Sequence, residues 1–451
     1  MKRAFALAAL ASLGSIAPPA LAIPSFARKY ATSCATCHTV YPKLTPFGEG
    51  FRRNAFRFPG VDSDYVKQDT VPLTPGGATT LPAVPPLAFG FNGQAILHPD
   101  NASSGGKADN GTGVSLQNLI AEAHLWAGGS FNDHTTFFGE VTSTSDGTVD
   151  LEHAQVYLAD LFGIRNLANL RVGRGFSNVT SFGPHSSYVA DALVPSMAVT
   201  ALNGATSASW NVDDHYNGLE LSGVVASGRV DYNVGWNAGT NVDVRNSEDV
   251  YGHVGFKLGG MRLDGEGASN TNAERPWEET ALTLDAFAYH SFSGVNFPDP
   301  SGGPTPIFLQ DTANVIGGGV RAQWGSLELS SGVYFEHHKR AAVDGTGADA
   351  LTQYNELSYV VQPWLVPAVR VEYLSLSPDV GARVSTLRLM PGIASAVYPN
   401  VKLTLVADLE SASGAPPAGW GPVGGLVAPT DITASQSLEL EAVVLGVAFA
   451  F

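Results

Sequence analysis

From about residue 87 onward the chain repeats one pattern. Segments of about ten residues alternate large apolar with small or polar side chains, and Gly, Asn, Asp and Ser turns separate them. The last segment, 438–451, is the clearest. Counting back in twos from Phe451 gives Phe449, Val447, Leu445 and Val443, while Ala450, Ala448, Gly446 and Ala442 fall between. Elsewhere Val369, Val371 and Tyr373 alternate with Arg370 and Glu372. Leu327, Leu329, Val333 and Phe335 alternate with Glu328, Ser330, Tyr334, Glu336 and His338, and Val254, Phe256 and Leu258 oppose His253 and Lys257. A period of two puts each set on one face of a strand. The charges always take the face opposite the apolar residues, as a barrel between lipid and water requires, because a charge aimed at mid-bilayer lipid costs ~2–4 kcal/mol. Residues 88–451 span 364 positions, about 23 for each of roughly sixteen strands with its connection. The reading is least regular at 180–212 and 261–312, where long loops are expected.

A soluble β-sandwich or β-helix would also alternate, but it gives no reason for a final phenylalanine. A terminal Phe after such a strand resembles the C-terminal signature of bacterial outer-membrane barrels. The start of the chain agrees. Lys2-Arg3, an apolar run from Ala4 to Ile16 and an Ala20-Leu21-Ala22 end read as a signal peptide over 1–22, too short to span a membrane as an anchor. No later stretch offers ~18 consecutive apolar residues for a membrane helix. Composition points the same way: 50 Gly, 10% aromatic and only 15% charged residues, with a formal charge of −16. No nucleic-acid partner is expected; the expected surroundings are outer-membrane lipid.

The mature N-terminus carries different chemistry. Cys34 and Cys37 are the only cysteines, and His38 follows at once. In an exported chain, Cys-x-x-Cys-His is the attachment site of c-type haem: two thiols bond the porphyrin vinyls and the adjacent imidazole binds iron. A redox disulfide would need a thioredoxin-like βαβ context, which the flanks lack. A zinc site would need a second ligand pair at suitable spacing, which is also missing. One motif means one covalently held haem c, with Cys34, Cys37 and His38 binding the cofactor and His38 ligating its metal.

Residues 23–68 are too few for a core without a staple. Between Ile23 and Gly60, Arg28, Lys29, Lys43, Arg52, Arg53 and Arg57 face Glu49 alone, so a basic cap in or on an acidic lumen is expected. Residues 69–87, rich in Pro, Thr and Gly, read as an extended linker. No Met or second His lies between Thr39 and Gln68. A sixth haem ligand therefore comes from the barrel or from Lys43, Tyr41 or Asn54, if there is one. Met390 has lumen parity and Met261 outward parity, Met197 sits in a loop-like stretch, and His98, His124, His253 and His338 are further candidates.

The stretch from Phe26 to Arg57 resembles the fused monohaem cytochrome–porin family of iron-oxidising bacteria. The resemblance rests on Phe26-Ala27-Arg28, Cys34, Cys37, His38, Pro42, Leu44, Thr45-Pro46-Phe47-Gly48, Phe51 and Asn54, and covers about 35 residues. Where the family continues with a Gly-Tyr pair, this chain has Ala55-Phe56. The resemblance implies an all-β transmembrane barrel with a small N-terminal c-type cytochrome segment. It also implies electron transfer from extracellular Fe(II) to a periplasmic c-type cytochrome, an Fe(II):cytochrome c oxidoreductase activity. Acidic pairs such as Asp213-Asp214 or Glu278-Glu279 in outer loops could attract Fe(II), although such pairs are more often ordinary solubilising surface. Two rivals stand beside this reading: a diffusion porin or solute transporter whose haem is structural or sensory, and electron transfer with another donor or direction. No Ser, His and Asp combination reads as a catalytic triad.

Overall fold

The computed structural model describes residues 25–30, 32–58, 70–72, 80–82, 86–98, 113–115, 120–179, 187–188, 215–238, 249–267, 274–297, 307–341, 344–414 and 438–450. The signal peptide over 1–22, Met197, Asp213-Asp214 and Phe451 lie outside these residues, as does the His98 side chain.

Sixteen antiparallel strands close into a barrel. The first eight are β1 Leu87–His98, β2 Glu122–Asn132, β3 Thr135–Thr144, β4 Val149–Leu158, β5 Asn169–Phe176, β6 His215–Val225, β7 Val230–Asn237 and β8 Asp249–Gly259. The rest are β9 Glu279–Phe297, β10 Ile307–Gly325, β11 Leu327–His338, β12 Ala348–Tyr359, β13 Val366–Pro378, β14 Val384–Tyr398, β15 Val401–Ser413 and β16 Glu439–Ala450. A short piece, Gly113–Ser115, extends the ladder beside the end of β1. The seam pairs β1 with β16, from Gly90 opposite Ala450 to Leu97 opposite Val443.

The alternation resolves into two faces. Val254, Phe256, Leu258, Leu329, Phe335, Val369, Leu445 and Val447 are exposed, whereas His253, Lys257, Glu328, Ser330, Glu336, His338, Arg370 and Glu372 are buried toward the lumen. Buried charge inside is balanced in pairs: Arg171 to Glu220 at 3.2 Å, Lys257 to Glu279 at 2.6 Å and Arg388 to Asp408 at 2.9 Å. Around 261–312 the chain forms not one long loop but a hairpin of two 19-residue strands, β9 and β10. Its alternation is obscured in sequence by small and polar residues such as Gly317-Gly318-Gly319, where Phe287 and Tyr334 fill the space above Gly317.

Connections differ by end. Residues 133–134, 226–229, 326 and 399–400 make short turns at one end, whereas at the other end consecutive strands include pairs whose facing ends are far apart in sequence: His98 and Glu122, Phe176 and His215, Ser413 and Glu439. Short turns mark the periplasmic end of an outer-membrane barrel. Glu278-Glu279, expected in an outer loop, stands at the start of β9 at this periplasmic end. There Glu279 pairs with Lys257, and Glu278 accepts from Arg275 at 2.8 Å and from the Ser326 hydroxyl at 2.6 Å. These carboxylates are committed to local partners.

The N-terminal segment sits inside the periplasmic mouth. It contains helices α1 Ser25–Lys29, α2 Cys34–Cys37 and α3 Pro46–Arg53, and a small hairpin of His38–Val40 with Lys43–Leu44. Its basic residues meet the wall: Arg53 to Asp231 at 2.9 Å, Arg57 to Asp160 at 2.6 Å and Lys43 to Glu328. Asn54 donates to the Asp264 carbonyl at 2.7 Å and accepts from Asn166. Val40 packs in one apolar cluster with Val366, Met390, Val406 and Val444 of the wall. Within 69–87, Thr70–Pro72 pairs antiparallel with Thr80–Pro82.

Candidate functional site

The residues around the cysteine pair fold for identifiable local reasons. Ser33 caps α2, its hydroxyl accepting from the Ala35 amide. Thr45 caps α3 by accepting from the Gly48 amide at 3.1 Å, and Pro46 follows at the first helical position, where no amide is needed. The Thr45 hydroxyl also donates to the Thr36 carbonyl at 2.8 Å, and its amide to the Cys37 carbonyl at 2.9 Å, so α3 is tied to α2. Gly48 lets the helices touch: a Cβ there would lie 2.2 Å from the Cys37 carbonyl oxygen. After α3 the Phe56 amide donates to the Phe51 carbonyl and the Ala55 amide to the Arg52 carbonyl, a Schellman end. That end places Ala55, at φ 56°, in the left-handed region, the position where the resembling family carries glycine.

These contacts build one side of a cavity of about 390 Å³. Cys34, Cys37 and His38 line it together with Phe26, Tyr30, Phe51, Phe56 and Phe58 from the N-terminal segment, and Trp126, Phe138, His153 and Tyr157 from the wall. The aromatic rings interlock: Phe26 stacks on Phe56 at 5.3 Å and meets Phe51 edge-on at 5.2 Å, and Tyr30 stacks on Phe58 at 4.9 Å. The volume falls within the ~300–1,000 Å³ range of ligand and cofactor sites, and its lining joins this aromatic cluster to charged wall residues such as Arg171, Glu220 and Asp231.

His38 Nδ1 lies 3.1 Å from the Pro42 carbonyl oxygen. Nδ1 must donate to that oxygen, which leaves Nε2 as the bare nitrogen. Burial pushes the His38 pKa down to about 4, so the ring is neutral at ordinary pH. Burial pushes the thiols the other way, Cys34 to about 11 and Cys37 to about 12. Reactive exchange cysteines have depressed values, so this pair is unsuited to disulfide exchange. Two half-buried thiols and a neutral, oriented imidazole in an aromatic cavity fit a c-type haem.

The other sequence candidates are dispersed. Tyr41 and His253 reach the cavity, and His253 Nε2 is buried without a hydrogen-bond partner among the described residues. Asn54 and Lys43 are engaged by Asp264, Asn166 and Glu328. Met390 does face inward but is fully buried against Val40 and its neighbours. Met261 lies in the 260–278 connection rather than on a strand. His338 is held on the opposite wall, 2.6 Å from Asp311 and 3.3 Å from Glu336. The sequence reading missed Trp126 and Phe138, whose part in the cavity depends on the barrel bringing β2 and β3 against the N-terminal segment.

No family model matches the chain, and no curated protein matches it. Among solved structures it is similar to OmpT, an outer membrane protein of Vibrio cholerae. The in-vitro folded trimer form gives a TM-score of 0.52 at 12% identity, covering 81% of this chain and 99% of that one. OmpT expressed in the outer membrane gives 0.50 at 10%, covering 81% and 97%. At such identity the likeness is one of fold. The protein is an outer-membrane β-barrel, and its place is the bacterial outer membrane.

Proposed function

We propose that this chain is a monohaem c-type cytochrome fused to its own outer-membrane barrel, moving electrons from extracellular Fe(II) to a periplasmic c-type cytochrome. The observation that carries the reading is the His38–Pro42 hydrogen bond beside Cys34 and Cys37 at the wall of one aromatic cavity. Cys34 and Cys37 would hold the cofactor and His38 Nε2 its iron; when bound, haem supplies a one-electron couple between ferric and ferrous states. The chain's own residues do the rest. The Pro42 carbonyl orients the imidazole, the Phe and Tyr rings exclude water, and the wall seats the segment in a pore through what lipid would otherwise block. Iron oxidised outside leaves its insoluble product outside.

The experiment is rapid mixing of the oxidised protein in detergent with Fe(II), following the haem bands from milliseconds to seconds. Fast, complete reduction that is absent from His38→Ala supports the reading. A haem reduced by dithionite but not by Fe(II) removes iron as donor. The second reading, a diffusion porin with a structural haem, draws on the sixteen-strand bore, which is wide enough for an aqueous channel. Single-channel conductance that is large, and unchanged when the cysteine pair is removed, would favour it.

A further inference from the structure

On the lumen wall beside the cavity, β2, β3 and β4 bring together His124, Glu140 and Glu152, with one ligand atom from each lying within 4.8 Å of the others. We propose that this trio is a binding site for a divalent first-row transition cation, loaded from the extracellular side of the lumen.

The donor set comes first. One imidazole and two carboxylates suit Fe(II), Mn(II) or Zn(II), and leave coordination positions open. His124 Nδ1 lies 2.9 Å from Glu140 Oε1, and Nε2 lies 3.5 Å from Glu122 Oε2. A carboxylate on the far nitrogen is the usual support of a metal-bound histidine, fixing its tautomer and raising its basicity.

The backbone supplies an independent reason. Glu140 pairs with His153, but the next position, Val141, pairs with Leu151, so Glu152 is the extra residue of a β-bulge. Strict alternation would turn Glu152 away from His153 and toward lipid. The bulge re-aims it toward Glu140 instead, and bulges are characteristically found where a side chain must be redirected. Charge gives the third. Elsewhere the lumen pairs Glu220, Glu328, Glu372 and Asp408 with Arg or Lys. Among the described residues no Arg or Lys lies within ion-pair distance of Glu122, Glu140 or Glu152; their ionic partners are histidines. A half-buried acidic cluster with no Arg or Lys beside it favours a mobile cation.

Position ties the cluster to the cavity. Glu140 and Glu152 line it. The His124 ring stacks on Trp126 at 5.0 Å, Trp126 meets Tyr41 edge-on at 6.4 Å, and Tyr41 lies 5.5 Å from His38. His124 is two residues further from the periplasmic end of β2 than Trp126. A cation entering from outside therefore meets the cluster before the cavity. The identity of the physiological cation as Fe(II) rests on the function proposed above; the site itself does not.

The test uses the haem-loaded protein in detergent, with Mn(II) as probe, read by loss of the free-ion electron paramagnetic resonance signal and by Zn(II) competition. The expected result is one Mn(II) per chain, bound at least tenfold more weakly in Glu140→Gln and in Glu152→Gln. Glu122→Gln should weaken it about tenfold, as loss of an outer-shell partner does. Exposed Asp349→Asn should bind as the parent does, and unchanged haem spectra would show each variant folded. No stoichiometric binding in the parent, or equal binding in both cluster variants, overturns the proposal. Fe(II) mixing then separates the two readings. Haem reduction with the same Fe(II) concentration dependence in both variants overturns Fe(II) as the cation the cluster takes and leaves electron transfer intact. Mn(II) binding that is lost in the variants, with a haem never reduced by Fe(II), upholds the site and removes iron as the donor.

Discussion

At the residue scale, small side chains decide whether the cavity exists. The Cβ of a Gly48→Ala variant would collide with the Cys37 carbonyl, a backbone atom that cannot swing aside. We expect this variant to assemble its barrel but incorporate markedly less haem, measured as the ratio of haem to protein absorbance. Cys37→Ala and His38→Ala should likewise lose the normal haem spectrum while the barrel still forms; full haem binding in both would remove the site assignment. Ala55 offers the opposite case. A non-glycine residue at φ 56° bears a left-handed penalty of roughly 1–2 kcal/mol, partly offset in glycine by its own backbone entropy of ~0.5–1 kcal/mol. Ala55→Gly should therefore protect the N-terminal segment slightly better from proteolysis. The Thr45-Pro46-Phe47-Gly48 run was legible as a motif, and the cap, the helix start and the close approach now give Thr45, Pro46 and Gly48 a cause each. The role of Trp126 was not legible, because its neighbour Tyr41 is 85 positions away and only the closed sheet brings them together.

At the element scale, the strands were readable because lipid on one side and polar lumen on the other impose period two wherever the ladder is regular. The reading fails where regularity does. The β4 bulge shifts parity by one residue, and the adjacent polar pair Glu152-His153 was its only trace in the sequence. Glu278-Glu279 was placed outside because charge alone does not say which end a connection occupies; counting strands from the terminus does. The docking of α3 and its C-terminal end is an element-scale property too. Burial raises the Asp160 carboxyl, but hydrogen bonds from Arg57 and the Asn166 amide, with the Arg57 charge, outweigh it and hold the group below its usual range. A carboxylate with a depressed folded value contributes stability that is present above the ordinary Asp value near 4 and lost as pH falls through the folded one. Release of the N-terminal segment, followed by protease accessibility, should thus rise on acidification below about pH 4. Asp160→Asn should show that release already at neutral pH and with a flatter pH profile.

At the scale of the whole molecule, a barrel of this strand number would conduct freely if its mouth were open. The N-terminal segment fills that mouth. Planar-bilayer conductance should be low in the parent and rise severalfold when residues 23–68 are deleted, and equal conductance in the two would mean that the segment does not obstruct the bore. The strand count and the single basic segment were visible in the sequence, but the segment's seat inside the mouth was not, since it depends on ion pairs between residues 103 to 285 positions apart. The seam has a consequence in time. Phe91 of β1 touches Phe449 of β16, so the wall is completed only when the last strand, made some 350 residues later, returns to the first. The segment that must lie within is translated before any of the wall. Until the final strand arrives, a lateral opening remains through which a folded segment can be enclosed rather than threaded. Folding of the segment and closure of the seam are then ordered events: the first has to finish while the second is still pending.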